Sequence, residues 1–388
     1  MAEREQDRPA PPVRLGSRTS EATLVDGRHV PEDHSGVAGR PSRAYLPQLD
    51  GLRAVAITLV LVHHALTPIR FGGLVGVDVF FVLSGFLITG LLLSERDRNG
   101  TVDLWRFYIR RGLRLYPPLL LTVAVLFVPG LLLARHPAYF VLDTLAALTY
   151  TTPLALVVNQ GVSLVFRHTW SLGVEELFYL IWPVALLLLL RARRWRRSVA
   201  AAGVVVGLGL LAVGVIGSLD GSEMAYLTRS GGLFLGCALS AALHRRPVTL
   251  PAALGWAGVV LLGTAVTLAT LSAAEGPAVL LANAGALALT AYLARPREGV
   301  LVRSLAAAPL AYTGRISYEI YLWHYPVFVL ASRLTGLTFF STAWFCVPVS
   351  LALAALSHAL LTPVSDRWKA RAGSALADRR AMARGPAR

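Results

Sequence analysis

Runs of about twenty predominantly apolar residues recur along this chain, and no other feature limits its possible folds as much. A run of that length matches the hydrocarbon thickness of a bilayer, where every backbone polar group must find its partner inside the protein. Helices meet that demand segment by segment. Such runs lie at about 52–68, 74–94, 115–134, 171–190, 199–217, 225–243, 251–272, 277–294, 312–332 and 342–363. Composition agrees, with 55% hydrophobic and only 15% charged residues. The expected fold class is all-α: a polytopic membrane helical bundle of about ten transmembrane helices.

The formal charge of +15 comes almost wholly from arginine, Lys369 being the single lysine. These arginines gather at the ends of apolar runs, which makes them a topology signal before they are a ligand signal, and no nucleic-acid partner is expected. Arg40 and Arg43 place the N-terminus in the cytoplasm. The loop holding Arg96, Arg98, Arg106, Arg110, Arg111 and Arg114 then lies inside too. An eleventh apolar segment, 139–158, is broken by Asp143 and Pro153. If it does not cross, RARRWRR at 191–197, His244-Arg245-Arg246, the stretch from Arg295 and the basic C-terminal end all fall inside as well. Both termini are therefore expected to be cytoplasmic, with 139–158 a re-entrant or interfacial piece.

The expected organisation is a disordered cytoplasmic tail at 1–44, polar and without the pattern of a signal peptide, a membrane domain at 45–365, and a basic cytoplasmic tail at 366–388. TVDLWRFYIRRGLR at 101–114 reads as a separate amphipathic helix on the membrane surface. Cys237 and Cys346 fall inside apolar runs, and neither a disulfide framework nor a metal is expected.

Ionisable groups inside these runs are functional candidates, because burying them is costly without partners. Arg53 and His64 are eleven residues apart, which puts them on one helix face about 16 Å apart. On the expected topology Asp78 lies level with His64, where a carboxylate would fix the imidazole's tautomer for general-base work; a helix-capping role explains Asp78 equally well. Glu175 and Glu176 open the run WSLGVEELFYLIWP, where a helix N-terminus favours acids, and Glu175 is the better candidate for the depth of His64. Ser317, Tyr321 and His324 form a polar stripe that either lines a cavity or bonds neighbouring helices. Arg111 and Arg114, at i and i+3, suit phosphate groups such as those of coenzyme A, but also need no ligand at a membrane surface.

Together these motifs are identified with a known family. DGLRAVA followed by His64 sets Arg53 and His64 in an Arg-x10-His pattern; GVDVFFVLSGFLIT, the Arg-x-x-Arg of Arg111 and Arg114 leading into LRLYPPL, WSLGVEELFYLIWP and ISYEIYLWHYPVF follow in order. The chain resembles the acyltransferase-3 family of integral membrane O-acyltransferases over about residues 45–363. The resemblance implies transfer of an acyl group, often acetyl, from acyl-CoA to a hydroxyl, usually on a sugar. It implies a catalytic His64 and donor handling by Arg53, Arg111 and Arg114, with Asp78, Ser84, Glu175 and His324 inside family motifs. Some members append an outer hydrolase-like domain after the last helix; its work is expected here to be absent or done by another protein.

The sequence expectation is thus an enzyme of the bacterial inner membrane, an O-acyltransferase that transfers groups other than aminoacyl groups. Its donor is acyl-CoA and no metal takes part. The acceptor is a cell-envelope glycan or a glycosylated small molecule such as a macrolide-type antibiotic, with a slight lean to the latter. His64 would deprotonate the acceptor or briefly carry the acyl group. A transporter or flippase of an acylated or sugar-linked substrate is the rival reading.

Overall fold

A computed structural model describes residues 45–67, 71–72, 74–158, 165–219, 229–271 and 275–384; the tail expected at 1–44 lies outside the described residues. The described chain is helical throughout. In order come α1 Pro47–Ala65, α2 Leu74–Asn99, α3 Leu104–Leu132, α4 Pro137–Leu148, α5 Thr152–Val157, a 3-10 turn Arg167–Thr169, α6 Trp170–Leu189, α7 Trp195–Leu219, α8 Gly231–Leu243, α9 Ala252–Leu271, α10 Glu275–Leu293, α11 Val300–Leu305, α12 Ala308–Arg315, α13 Ser317–Thr335 and α14 Phe339–Arg384.

Each apolar run read from the sequence overlaps a helix among the described residues, although 312–332 begins in α12 and crosses into α13. Seven of these helices, α2, α3, α6, α7, α9, α10 and α14, are long and apolar enough to cross a membrane. The expected ten exceeds that number for separable reasons. At 19 residues each, α1 and α13 have the length but carry polar stripes, and α8 has 13 described residues.

Packing around α2 organises the bundle. Its apolar window is 72% buried, against 22% for α7, so α2 is interior and α7 faces outward with Val205, Leu208 and Ile216 exposed. Helices α1, α6, α8 and α10 pack against α2. Glycines allow several close approaches. A Cβ on Gly85 of α2 would lie 1.8 Å from the Leu233 carbonyl oxygen of α8, and one on Gly51 of α1 would lie 1.9 Å from that of Leu305 in α11. Only a residue without a side chain lets the backbones meet there. Indole N–H groups find partners across helices: Trp182 donates to the Thr89 hydroxyl at 2.9 Å and Trp323 to that of Ser357 at 2.8 Å.

One local expectation changes. The stretch 101–114 is no separate surface helix. Asp103 caps α3 by accepting from the Arg106 N–H at 3.0 Å, and the helix runs on through Pro117 and Pro118 to Leu132. Segment 139–158 is two short helices, interrupted where Tyr150 takes φ 56° and Pro153 opens α5. Helix α14 continues past residue 365 without a break to Arg384. Cys237 and Cys346 are buried as free thiols in α8 and α14.

Candidate active site

One face of α2 lines a cavity of about 490 Å³ from end to end: Val77, Phe80, Phe81, Ser84, Leu87, Ile88, Leu91, Ser94 and Arg98 recur at helical spacing. Twenty-one residues at about 1.5 Å each make this wall about 32 Å long, so the cavity is a slot. The opposite walls come from α1, α3, α6 and α13. At one end Tyr45, Leu91 and Arg98 are exposed; at the other Phe81, Ser171 and Tyr321 are buried.

The slot gathers the arginines singled out from sequence. Arg53, Arg111 and Arg114 all line it, and Arg98 joins them. Arg53 donates to the Ser317 hydroxyl at 3.0 Å. The Arg111 guanidinium lies over the Tyr179 ring at 3.6 Å and pairs with Glu175 at 4.0 Å and Glu176 at 3.7 Å. Arg114 is exposed into the slot.

Glu175 belongs to this arginine wall. Its Oε1 accepts from the Ser84 hydroxyl at 3.0 Å and its Oε2 from the Tyr179 hydroxyl at 2.9 Å, so both oxygens are engaged away from any imidazole. Glu175 was placed by sequence near the depth of His64, but its oxygens are held by Ser84 and Tyr179 instead. Ser171, Glu175 and Tyr179 fall at i, i+4 and i+8 on α6, which brings all three to the slot.

At the buried end, Tyr321 accepts from or donates to the Ser171 hydroxyl at 2.8 Å and reaches the His168 carbonyl at 2.6 Å. Beyond Tyr321 stands a cluster of histidines. The His168 ring lies 5.4 Å from Tyr321 and 5.5 Å from His324, and His324 lies 5.1 Å from His64. His63 and Tyr325 complete the cluster at 5.0 Å and 4.9 Å from His64.

Backbone carbonyls fix the state of two of these rings. His64 Nδ1 lies 2.9 Å from the Val60 carbonyl, and His324 Nδ1 lies 2.7 Å from that of Tyr321. A carbonyl only accepts, so each Nδ1 carries the hydrogen and each Nε2 of the neutral ring is left with a lone pair. His64 is half-buried, whereas His324 is fully buried with its Nε2 unpaired among the described residues.

Asp78 does not take the expected place as the orienter of His64. Its Oδ2 accepts from Arg229 at 2.8 Å, an ion pair in which the Asp78 side chain is fully buried and Arg229 is 7% exposed. Arg229 was legible as an arginine within the apolar run 225–243, yet spacing alone does not tie it to α2. His168 lies two residues before WSLGVEELFYLIWP, and the same motif should have drawn attention to it. Arg98 was read only as a topology signal.

This arrangement bears on the chain's family. Residues 46–360 match the acyltransferase-3 family, described as an acyltransferase domain. The chain belongs to this family. It is a multi-pass membrane protein, as members of the family are. Curated relatives include the peptidoglycan O-acetyltransferase OatA of Listeria monocytogenes, 32% identical over 330 residues, which cover 77% of this chain and 52% of the relative. The O-acetyltransferase OatA of Staphylococcus aureus is 32% identical over 75% of this chain and 52% of its own length. The putative peptidoglycan O-acetyltransferase YrhL of Bacillus subtilis is 32% identical over 74% of this chain and 49% of its own. The chain thus spans about half the length of the curated relatives it matches. No solved structure matches it.

Proposed function

We propose that the protein is a membrane O-acyltransferase that moves an acyl group, acetyl or another short one, from acyl-CoA to a hydroxyl of a cell-envelope glycan. The observation that carries this reading is the slot itself, with arginines from three helices along it and a histidine cluster past its buried end. Names of the relatives, which specify peptidoglycan, move the acceptor preference from a macrolide-type molecule to the glycan.

In this reading ten helices cross the bacterial inner membrane, both termini are cytoplasmic, and the membrane acyltransferase domain occupies 45–365. Acyl-CoA enters from the cytoplasm at the Arg98 end. Arg53, Arg111 and Arg114 make its surroundings positive, which favours phosphate. The acyl thioester reaches toward Tyr321. His64 Nε2 takes the proton of the acceptor hydroxyl as the new ester bond forms, and the proton passes to the departing thiolate as the carbon–sulfur bond breaks. A transient acyl-His64 is the alternative route. His324 presents a second bare Nε2 to the same cluster and receives a hydrogen bond from the acceptor. Asp78 and Glu175 contribute through Arg229 and Arg111 rather than by touching His64.

The test uses protein purified in detergent, where no gradient exists. Radiolabelled acetyl-CoA and soluble peptidoglycan fragments should yield ester-linked label on the glycan, lost in His64→Ala. Movement of substrate in proteoliposomes without transfer to any acceptor would establish the transporter reading instead. Rapid quenching without acceptor separates the two routes, since only the covalent one leaves label on wild-type protein.

A further inference from the structure

Four arginines line the slot, and they are not equivalent. Arg53 is tied to Ser317, and Arg111 is stacked on Tyr179 between Glu175 and Glu176. Arg98 and Arg114, by contrast, are both exposed, both line the slot, and form no hydrogen bond or ion pair among the described residues. Arg114 stands near Arg53 and Arg111, and near the Glu319 carboxylate. A like-charged group left without enough carboxylates is stabilised by an incoming anion, and planar guanidinium forks match the oxygens of phosphate. Position adds to this. Arg98 lies fourteen residues from Ser84 on the lining face of α2, about 21 Å along the axis, at the end where the slot is open. An elongated donor with its reactive end near Tyr321 would bring its charged end to Arg98.

We infer that Arg98, beside the Arg-x-x-Arg residue Arg114, is the phosphate clamp for the donor, and that Arg111 is a positioning residue that fixes the Glu175 wall. The inference rests on the acyl-CoA reading above and assigns that donor's phosphates to a side chain outside the motifs of the sequence.

The experiment measures kcat/KM of full-length protein in detergent with acetyl-CoA and with acetyl-pantetheine, the same thioester arm without the nucleotide and its phosphates. Wild type should prefer acetyl-CoA. Losing charge-assisted hydrogen bonds at Arg98→Ala should cut that preference by about tenfold to a hundredfold, mainly through KM for acetyl-CoA. Arg98→Lys should recover part of it, and Arg303→Ala, outside the slot, should leave it intact. Thermal unfolding and CoA-induced thermal shift confirm that the variants are folded and report donor binding directly. With 3′-dephospho-acetyl-CoA, an Arg98→Ala variant that no longer distinguishes the two nucleotides assigns Arg98 to the 3′-phosphate; one that still does assigns it to the pyrophosphate. A folded Arg98→Ala with an unchanged preference overturns the clamp alone. A wild type that transfers from neither donor, or from acetyl-pantetheine equally well, overturns the acyl-CoA reading with it.

Discussion

The buried ion pair between Asp78 and Arg229 allows two roles for Asp78 to be separated by experiment. The carboxylate and guanidinium meet at 2.8 Å with side chains 0% and 7% exposed. With charge centres about 4 Å apart and an effective dielectric near 20, their attraction is about 4 kcal/mol. Desolvation of both ions offsets much of that gain, and removing one member of a buried pair typically costs about 3–5 kcal/mol. At about 1.4 kcal/mol per tenfold, Asp78→Asn should therefore lower the folded-to-unfolded ratio by roughly two to three and a half orders of magnitude. Replacing both members, as Asp78→Leu with Arg229→Leu, buries neither charge and should restore at least half of the loss. Fluorescence-detected size-exclusion after a heating series, in one detergent, reads wild type and both variants. Activity per folded molecule is measured alongside. The reasoning fails if Asp78→Asn keeps wild-type thermal stability while losing acyl transfer. That outcome would return Asp78 to the side of His64.

Other consequences follow from the same contacts. His64→Ala should lower kcat by about 10²–10⁴-fold with CoA binding unchanged in a thermal-shift assay, because it removes a proton acceptor rather than a donor contact. Gly85→Ala should destabilise the bundle by about 3 kcal/mol or more and reduce the monodisperse yield, since its Cβ would meet the Leu233 carbonyl oxygen at 1.8 Å. Gly112→Ala, whose Cβ meets nothing within 4 Å, should instead raise the unfolding temperature through a gain of about 0.5–1 kcal/mol in helix propensity. Arg111→Lys loses the flat stack on Tyr179 and the fork between Glu175 and Glu176; a loss of about 1–2 kcal/mol in stability is expected from thermal unfolding in detergent.

Much of the fold was legible because the bilayer imposes a length and a polarity on each crossing. That reasoning located every long helix, but it placed a break at 101–114 because arginines interleaved with aromatics resemble a surface helix. The cap at Asp103 and the continuous hydrogen-bonding of α3 carry that stretch into the bundle instead. For the site, spacing put Arg53, Arg111 and Arg114 among the candidates, and the slot gathers all three. Depth alone was a poor guide to partners. Asp78 and Glu175 were matched to His64 by level, yet each side chain also has an azimuth around its helix, and those azimuths face Arg229 and Arg111.

The sequence by itself determined helical class, membrane residence and the residues able to bear charge, since these follow from local periodicity and the cost of burying polar groups. Tertiary structure decided which charges meet. Glycines at positions 51 and 85 let helices approach to backbone contact, and that approach sets the rotation of α1 and α2 about their axes. Rotation is what separates two sorts of arginine in the slot. Arg53 and Arg111 are bound into its wall, while Arg98 and Arg114 are exposed along it, a distinction no linear spacing records.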